Sequence, residues 1–191
     1  MALVDRVKNI LLAPAAEWPK IAEETATVQS LYSGYILILA AIGPIAMAIS
    51  SVLRGSAVGL GVAAVSYGIG LVVTYLLALI VDALAPTFGG EKNFIQSLKL
   101  TAYSYTAAWV GGIFQLVPFL GGIIGLVATI YAFYTFYLGV SLMKKCPQDK
   151  AVVYTIVIVL CGILLGAVLA GVLMSALVGG GIGLMGLGMM H

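Results

Sequence analysis

The chain has 191 residues, of which 62% are hydrophobic and only 8% charged, and its mean hydropathy is +1.16. These values exclude an ordinary soluble domain and point to an integral membrane protein built as one helical bundle along the whole chain. A net charge of +2, with nine Lys and Arg scattered through short segments, excludes a nucleic-acid footprint.

The opening stretch MALVDRVKNILLAPAAEWPK mixes charge into its apolar positions and has no continuous apolar core, so it does not read as a cleaved signal peptide. Leu3, Val7, Ile10 and Leu11 recur at helical spacing, with Asp5, Arg6, Lys8 and Asn9 mostly on other faces. The pattern predicts an amphipathic helix lying on the membrane surface and ended near Pro14, followed by Trp18-Pro19 as an anchor at headgroup level. Residues 1–30 are thus a cytoplasmic or interfacial segment, with Glu23 and Glu24 in a polar loop.

Apolar runs long enough to cross a hydrocarbon core of ~30 Å follow. The first covers residues 31–53, with a kink expected at Gly43-Pro44; the second covers 57–85 and stops at Pro86. The apolar region up to Met143 is too long for one helix. Lys99 precedes it and Lys144-Lys145 follow it, so both its ends prefer the same side, and it is predicted to be a hairpin of spans 100–117 and 119–143 that turns at Pro118. A fifth span covers 151–178, and residues 179–191 form a glycine-rich, flexible tail. With five crossings, every Lys and Arg except Arg54 falls on the side of the N-terminus. The expected topology is therefore a multi-pass protein of the inner (plasma) membrane with a cytoplasmic N-terminus and a C-terminus outside.

Three glycine pairs, Gly121/Gly125, Gly162/Gly166 and Gly179/Gly183, have the spacing that lets helices approach closely, within the chain or between two copies. Cys146 and Cys161 lie at different depths, which argues against a disulfide. The Cys146-Pro147 pair is too short a signal to place a haem, and no cofactor is expected.

Asp82 is a carboxylate about one turn from the inner end of the second span. It reads as part of an inner-face polar cluster with Glu91, paired with Lys92, Lys99, Lys144 or Lys145, or else as an ion or proton ligand. Tyr131, Tyr134 and Tyr137 on the fourth span, with Tyr103 and Tyr105 on the third, read as helix–helix hydrogen bonds and interfacial belts, or else as a polar groove shared with Ser104, Thr106, Gln115 and Thr129. Catalysis is poorly supplied: the one histidine is terminal, and no carboxylates or cysteines recur at catalytic or metal-ligand spacing. The apolar end with Met185, Met189, Met190 and His191 reads as a flexible tail rather than a soft-metal site, so no metal is expected.

The segments VKNILLAPAAEWPKIAEE, DALAPTFGGEKNFIQSLKLTAYSYTAAWV and VPFLGGIIGLVATIYAFYTFYLGVSLMKKCPQDKA, in that order, resemble the Yip domain family of Ypt-interacting membrane proteins, in particular its small bacterial members. The resemblance covers nearly the whole chain and implies a five-helix bundle with a cytosolic N-terminus. Eukaryotic members are associated with Rab-type GTPases and with ER–Golgi trafficking. GTPase binding is not carried over, because the longer soluble N-terminal region of those proteins is missing from this sequence. The expectation is a non-enzymatic membrane protein acting through contacts with lipid, a second copy or a membrane-protein partner; the alternative is a small channel or transporter using Asp82 and the tyrosine groove.

Overall fold

The structure, a computed structural model, describes residues 2–56, 58–117 and 119–188, and among these every regular element is helical. Two short helices, α1 (Leu3–Leu12) and α2 (Pro14–Glu23), meet at Ala13. Pro14 both ends α1 and opens α2, where its missing N–H is no loss. A first long helix, α3 (Val28–Leu53), is followed by α4 (Val58–Leu84), which tightens into a 3₁₀ turn over Ala85–Phe88. Then come α5 (Phe94–Ser104), α6 (Thr106–Gly111) with a 3₁₀ turn over Gly112–Leu116, α7 (Leu120–Lys144) and α8 (Gln148–Gly188).

Among the described residues, four helical segments are long and apolar enough to cross a membrane: Val28–Leu53, Gly59–Phe88, Leu120–Lys144 and Gln148–Val172. The predicted third span, 100–117, is not one helix. It is divided at Tyr105 and finishes in 3₁₀ geometry, so no piece of it reaches spanning length alone. Its course is nevertheless regular. Asn93 lies beside Lys144, Leu100 beside Gly139, Gly111 beside Ala128, and Phe114 beside Gly121. The two arms of this hairpin therefore run antiparallel and cover nearly the same number of residues overall, 21 from Asn93 to Phe114 against 23 from Lys144 to Gly121.

Within α3, the helix is interrupted at Ala41 rather than at Gly43-Pro44. Pro44 has no N–H to offer the carbonyl of Ala40, so the break falls one turn upstream of the proline. A π-helical turn over Tyr32–Ile36, not foreseen from the sequence, precedes it. At Gly112 a side chain would bring Cβ within 2.8 Å of the Gly43 Cα, so this glycine lets the 3₁₀ backbone pack directly on α3.

The well-packed core occupies one end of the bundle. Trp18, Ile21, Tyr35, Leu98, Leu100, Val140 and Tyr154 are all buried there. Towards the other end, α8 carries Leu160, Ile163, Leu164, Val168 and Val172 outward, as lipid contact requires. The helix continues to Gly188, past the predicted end of the fifth span. Met189, Met190 and His191 lie outside the described residues.

The expected N-terminal helix forms as α1 and ends before Pro14, and with α2 it makes a hairpin folded against α5, α6 and α7 that leaves Val4 and Leu12 exposed. Tyr131, about 20 Å along α7 from Lys144, donates its hydroxyl to the Leu11 carbonyl at 2.7 Å. Trp18 is no interfacial anchor: its indole is buried and donates to the Thr135 carbonyl at 3.0 Å. Gly139 makes room for it, since a Cβ there would sit 2.5 Å from the indole Cε2.

Candidate functional site

Two charge clusters lie at the packed end, which we call the charged end. The first is centred on Asp82. Its Oδ1 accepts from Lys144 Nζ at 2.8 Å, from the Asn93 backbone N–H at 2.7 Å and from Ser97 Oγ at 3.1 Å. Lys144 has no exposed surface, and its ammonium has three acceptors, the others being Ser97 Oγ at 2.7 Å and the Asn93 carbonyl at 3.1 Å. All three N–H bonds of the lysine are accounted for. Placing a carboxylate near the C-terminal end of α4 is unfavourable, and Lys144 together with the Asn93 N–H offsets that cost.

Asn93 has a second duty. Its side chain accepts from Gln96 N at 3.1 Å and caps α5, so the start of α5 is fixed to the end of α4. The Lys144 carbonyl accepts from Glu91 N at 2.8 Å, while Lys145, in the left-handed region at φ 51°, turns outward to meet Glu91 at 2.7 Å. Cys146 donates its thiol to the Phe88 carbonyl at 3.2 Å. Burial, reinforced by Asp149, pushes that thiol above its ordinary range. Both cysteines are free.

The second cluster was not foreseen as a site. Arg6 donates to buried Glu17 at 2.6 Å and also reaches Glu24; Glu17 accepts in addition from Lys20 at 3.0 Å. The Arg6 guanidinium lies 5.7 Å from the Tyr103 ring centroid, and Tyr103 packs edge-on against Tyr35. Tyr35 shares a 2.6 Å hydrogen bond with Thr106. Lys99, expected near Asp82, instead donates to the Ile21 carbonyl at 2.8 Å and to the Glu24 carbonyl. It is a cation capping the C-terminus of α2, where orphan carbonyls and the helix dipole both favour positive charge.

A match to the Yip1 domain family model extends over residues 8–170. The chain belongs to the Yip1 domain family. No curated protein and no solved structure matches it. Membership, together with the four spanning helices, makes this Yip1 chain a multi-pass membrane protein of a family that is generally non-enzymatic.

Of the predicted polar cluster, this Yip1 chain joins Asp82 to Lys144 and Glu91 to Lys145, leaves Lys92 exposed, and sends Lys99 to α2. Of the predicted groove, Ser104, Tyr105 and Thr129 line a common cavity, while its other members are dispersed. Tyr103 and Tyr131 point to the N-terminal hairpin, Tyr134 and Tyr137 are exposed, and Gln115 is exposed near the opposite end. Of the glycine pairs, Gly162 and Gly166 line crevices on the inner side of α8. Gly121 packs against its own hairpin at Phe114.

The position of Arg6 in the sequence already marks it as a buried charge. It falls three residues after Leu3 and four before Ile10, on the apolar face of α1. A lone arginine on a buried face requires an acid, and Glu17 comes next in the chain after Asp5.

Proposed function

We propose that this chain is a five-crossing, non-enzymatic membrane protein that forms one domain and acts by holding a protein or lipid partner at its charged end. The antiparallel course of residues 93–116 along α7 supports the fifth crossing, because a segment that accompanies a spanning helix from end to end covers the same thickness. The basic residues support the orientation: with five crossings, only Arg54 lies opposite the charged end, which is then cytoplasmic in an inner membrane.

One observation carries the functional reading. The buried charges Arg6, Glu17, Lys99 and Lys144, and the partly buried Asp82, are engaged with each other or with backbone, and together they form a cross-tied platform. Glu91, Lys92 and Lys145 are exposed on its rim. Such a surface suits contact, whereas chemistry or ion passage needs ionisable groups that are free to exchange protons or ligands. Asp82, the carboxylate a channel would need, is neutralised in place.

A photo-crosslinking residue at positions 91, 92 and 145, compared with positions 56 and 119 at the opposite end, tests this in living cells. The account expects one product of the same mass from all three charged-end positions and none from the other two. Unrelated products at every position contradict it.

A further inference from the structure

Between α4, α5, α7 and α8 lies a cavity of about 200 Å³ that no contact described so far uses. Leu77, Phe133, Phe136 and Ile158 make its wall mostly apolar, and Ser104 lines it. Ser104 is only 4% exposed, and its hydroxyl has no hydrogen-bond partner. Its neighbours Thr101 and Thr129 donate to their own helices, to the Ser97 and Gly125 carbonyls, and neither hydroxyl lies within hydrogen-bond reach of Ser104 Oγ. A buried hydroxyl without a partner in an apolar surround is costly, so the site is built for something that accepts from it.

Water fits poorly. About one probe volume of 10–15 Å³ would suffice for a single molecule, and each water needs two to four polar partners. The cavity is many times larger and its wall offers few. Left empty, a space of this size forfeits the dispersion contacts of its whole lining.

Its shape gives the occupant. Tyr105 lines both this cavity and a second crevice between α4, α6 and α8 that reaches Gly166 and Ala170. Together the two follow the inner side of α8 from Ile158 to Ala170, about 18 Å of helix. One leaflet of a ~30 Å hydrocarbon core has about that depth. Ser104 also adjoins Tyr103, on which Arg6 rests, so the hydroxyl stands at the margin of the charged layer.

We infer that this crevice binds one bilayer phospholipid by an acyl chain, with an ester carbonyl accepting from the Ser104 hydroxyl and the chain running beneath α8 past Tyr105. The site is independent of the partner reading, since it opens between α4, α5, α7 and α8 and not on the charged rim.

The test uses the full chain in vesicles of phosphatidylethanolamine and phosphatidylglycerol, in which part of the phospholipid carries a diazirine on one acyl chain. After irradiation, labelled residues are located by mass spectrometry. Labelling of inner residues such as Ser104, Tyr105 and Phe133 is expected, and labelling confined to outward residues such as Leu160 and Leu164 overturns the site. Native mass spectra of protein released in mild detergent should show one retained phospholipid per chain. Gly162→Leu, which fills the crevice, should reduce that occupancy at least tenfold, and Leu164→Phe, on the outer face of α8, should not. Ser104→Ala, which removes no bulk, should lower it several-fold. No retained lipid, a free fatty acid in its place, or equal loss in Gly162→Leu and Leu164→Phe contradicts the proposal.

Discussion

Lys144 Nζ meets Asp82 Oδ1 at 2.8 Å across 62 residues of sequence, with the lysine wholly enclosed. The pair ties the ends of α4 and α7 together, and through Asn93 and Ser97 it also holds the start of α5. Removing one partner strands the other charge. Asp82→Ala should therefore destabilise the protein by about 3 kcal/mol. The double variant Asp82→Ala/Lys144→Met should lose less than half the sum of the two single losses. Unfolding titrations in mixed detergent micelles measure all three; strictly additive losses would mean that the pair does not hold the ends together.

The N-terminal hairpin depends on Arg6 in the same way. Arg6→Ala leaves Glu17 buried with only Lys20, itself mostly exposed, beside it. In a Trp109→Phe background, emission then comes from Trp18 alone. It should be blue-shifted and shielded from acrylamide in the parent and red-shifted and quenchable in Arg6→Ala. An unchanged spectrum would show that the hairpin is held by apolar packing without the ion pair.

How much of this the sequence made legible follows from the reach of each signal. Apolar runs and Pro86 placed the long helices because those patterns are local. Asp82 was recognised as needing a cation because a single carboxylate in an apolar helix is conspicuous, but the choice of Lys144 over Lys99 depended on where α2 ends. Only the fold brings the Ile21 and Glu24 carbonyls to Lys99. Trp18 was misplaced for a similar reason. A tryptophan beside a proline suits a headgroup layer equally well, and the space that receives its ring is made by Gly139, 121 residues further on.

Gly139 gives a direct check of that packing. Gly139→Leu should cost about 1–3 kcal/mol by overpacking against the indole. Trp18→Ala combined with it should recover part of the loss, as read from thermal unfolding in detergent. Equal losses in the single and double variants would place Trp18 elsewhere.

Cys146 is buried, and burial raises its thiol pKa, so the thiolate forms only above the pH at which a free thiol ionises. In a Cys161→Ser background its alkylation by iodoacetamide should be slow at neutral pH and keep rising at pH values where a model thiol has levelled off. Phe88 contributes only its backbone carbonyl to the thiol, so Phe88→Ala tests packing: opening this corner, where Phe88 also stacks on Tyr154, should accelerate the reaction. A rate matching that of a free thiol in the parent would contradict the buried position.

The central claim is that residues 94–116 cross the membrane beside α7 and leave the charged end on one side. Single cysteines in a Cys146→Ser/Cys161→Ser background, at Glu91 and at Phe119, test it with an impermeant maleimide added to sealed vesicles of known orientation. The account predicts that the two positions react from opposite sides, Glu91→Cys from the cytoplasmic side and Phe119→Cys from the other. Reaction of both from the same side would mean that this segment re-enters without crossing, and the five-crossing account would be wrong.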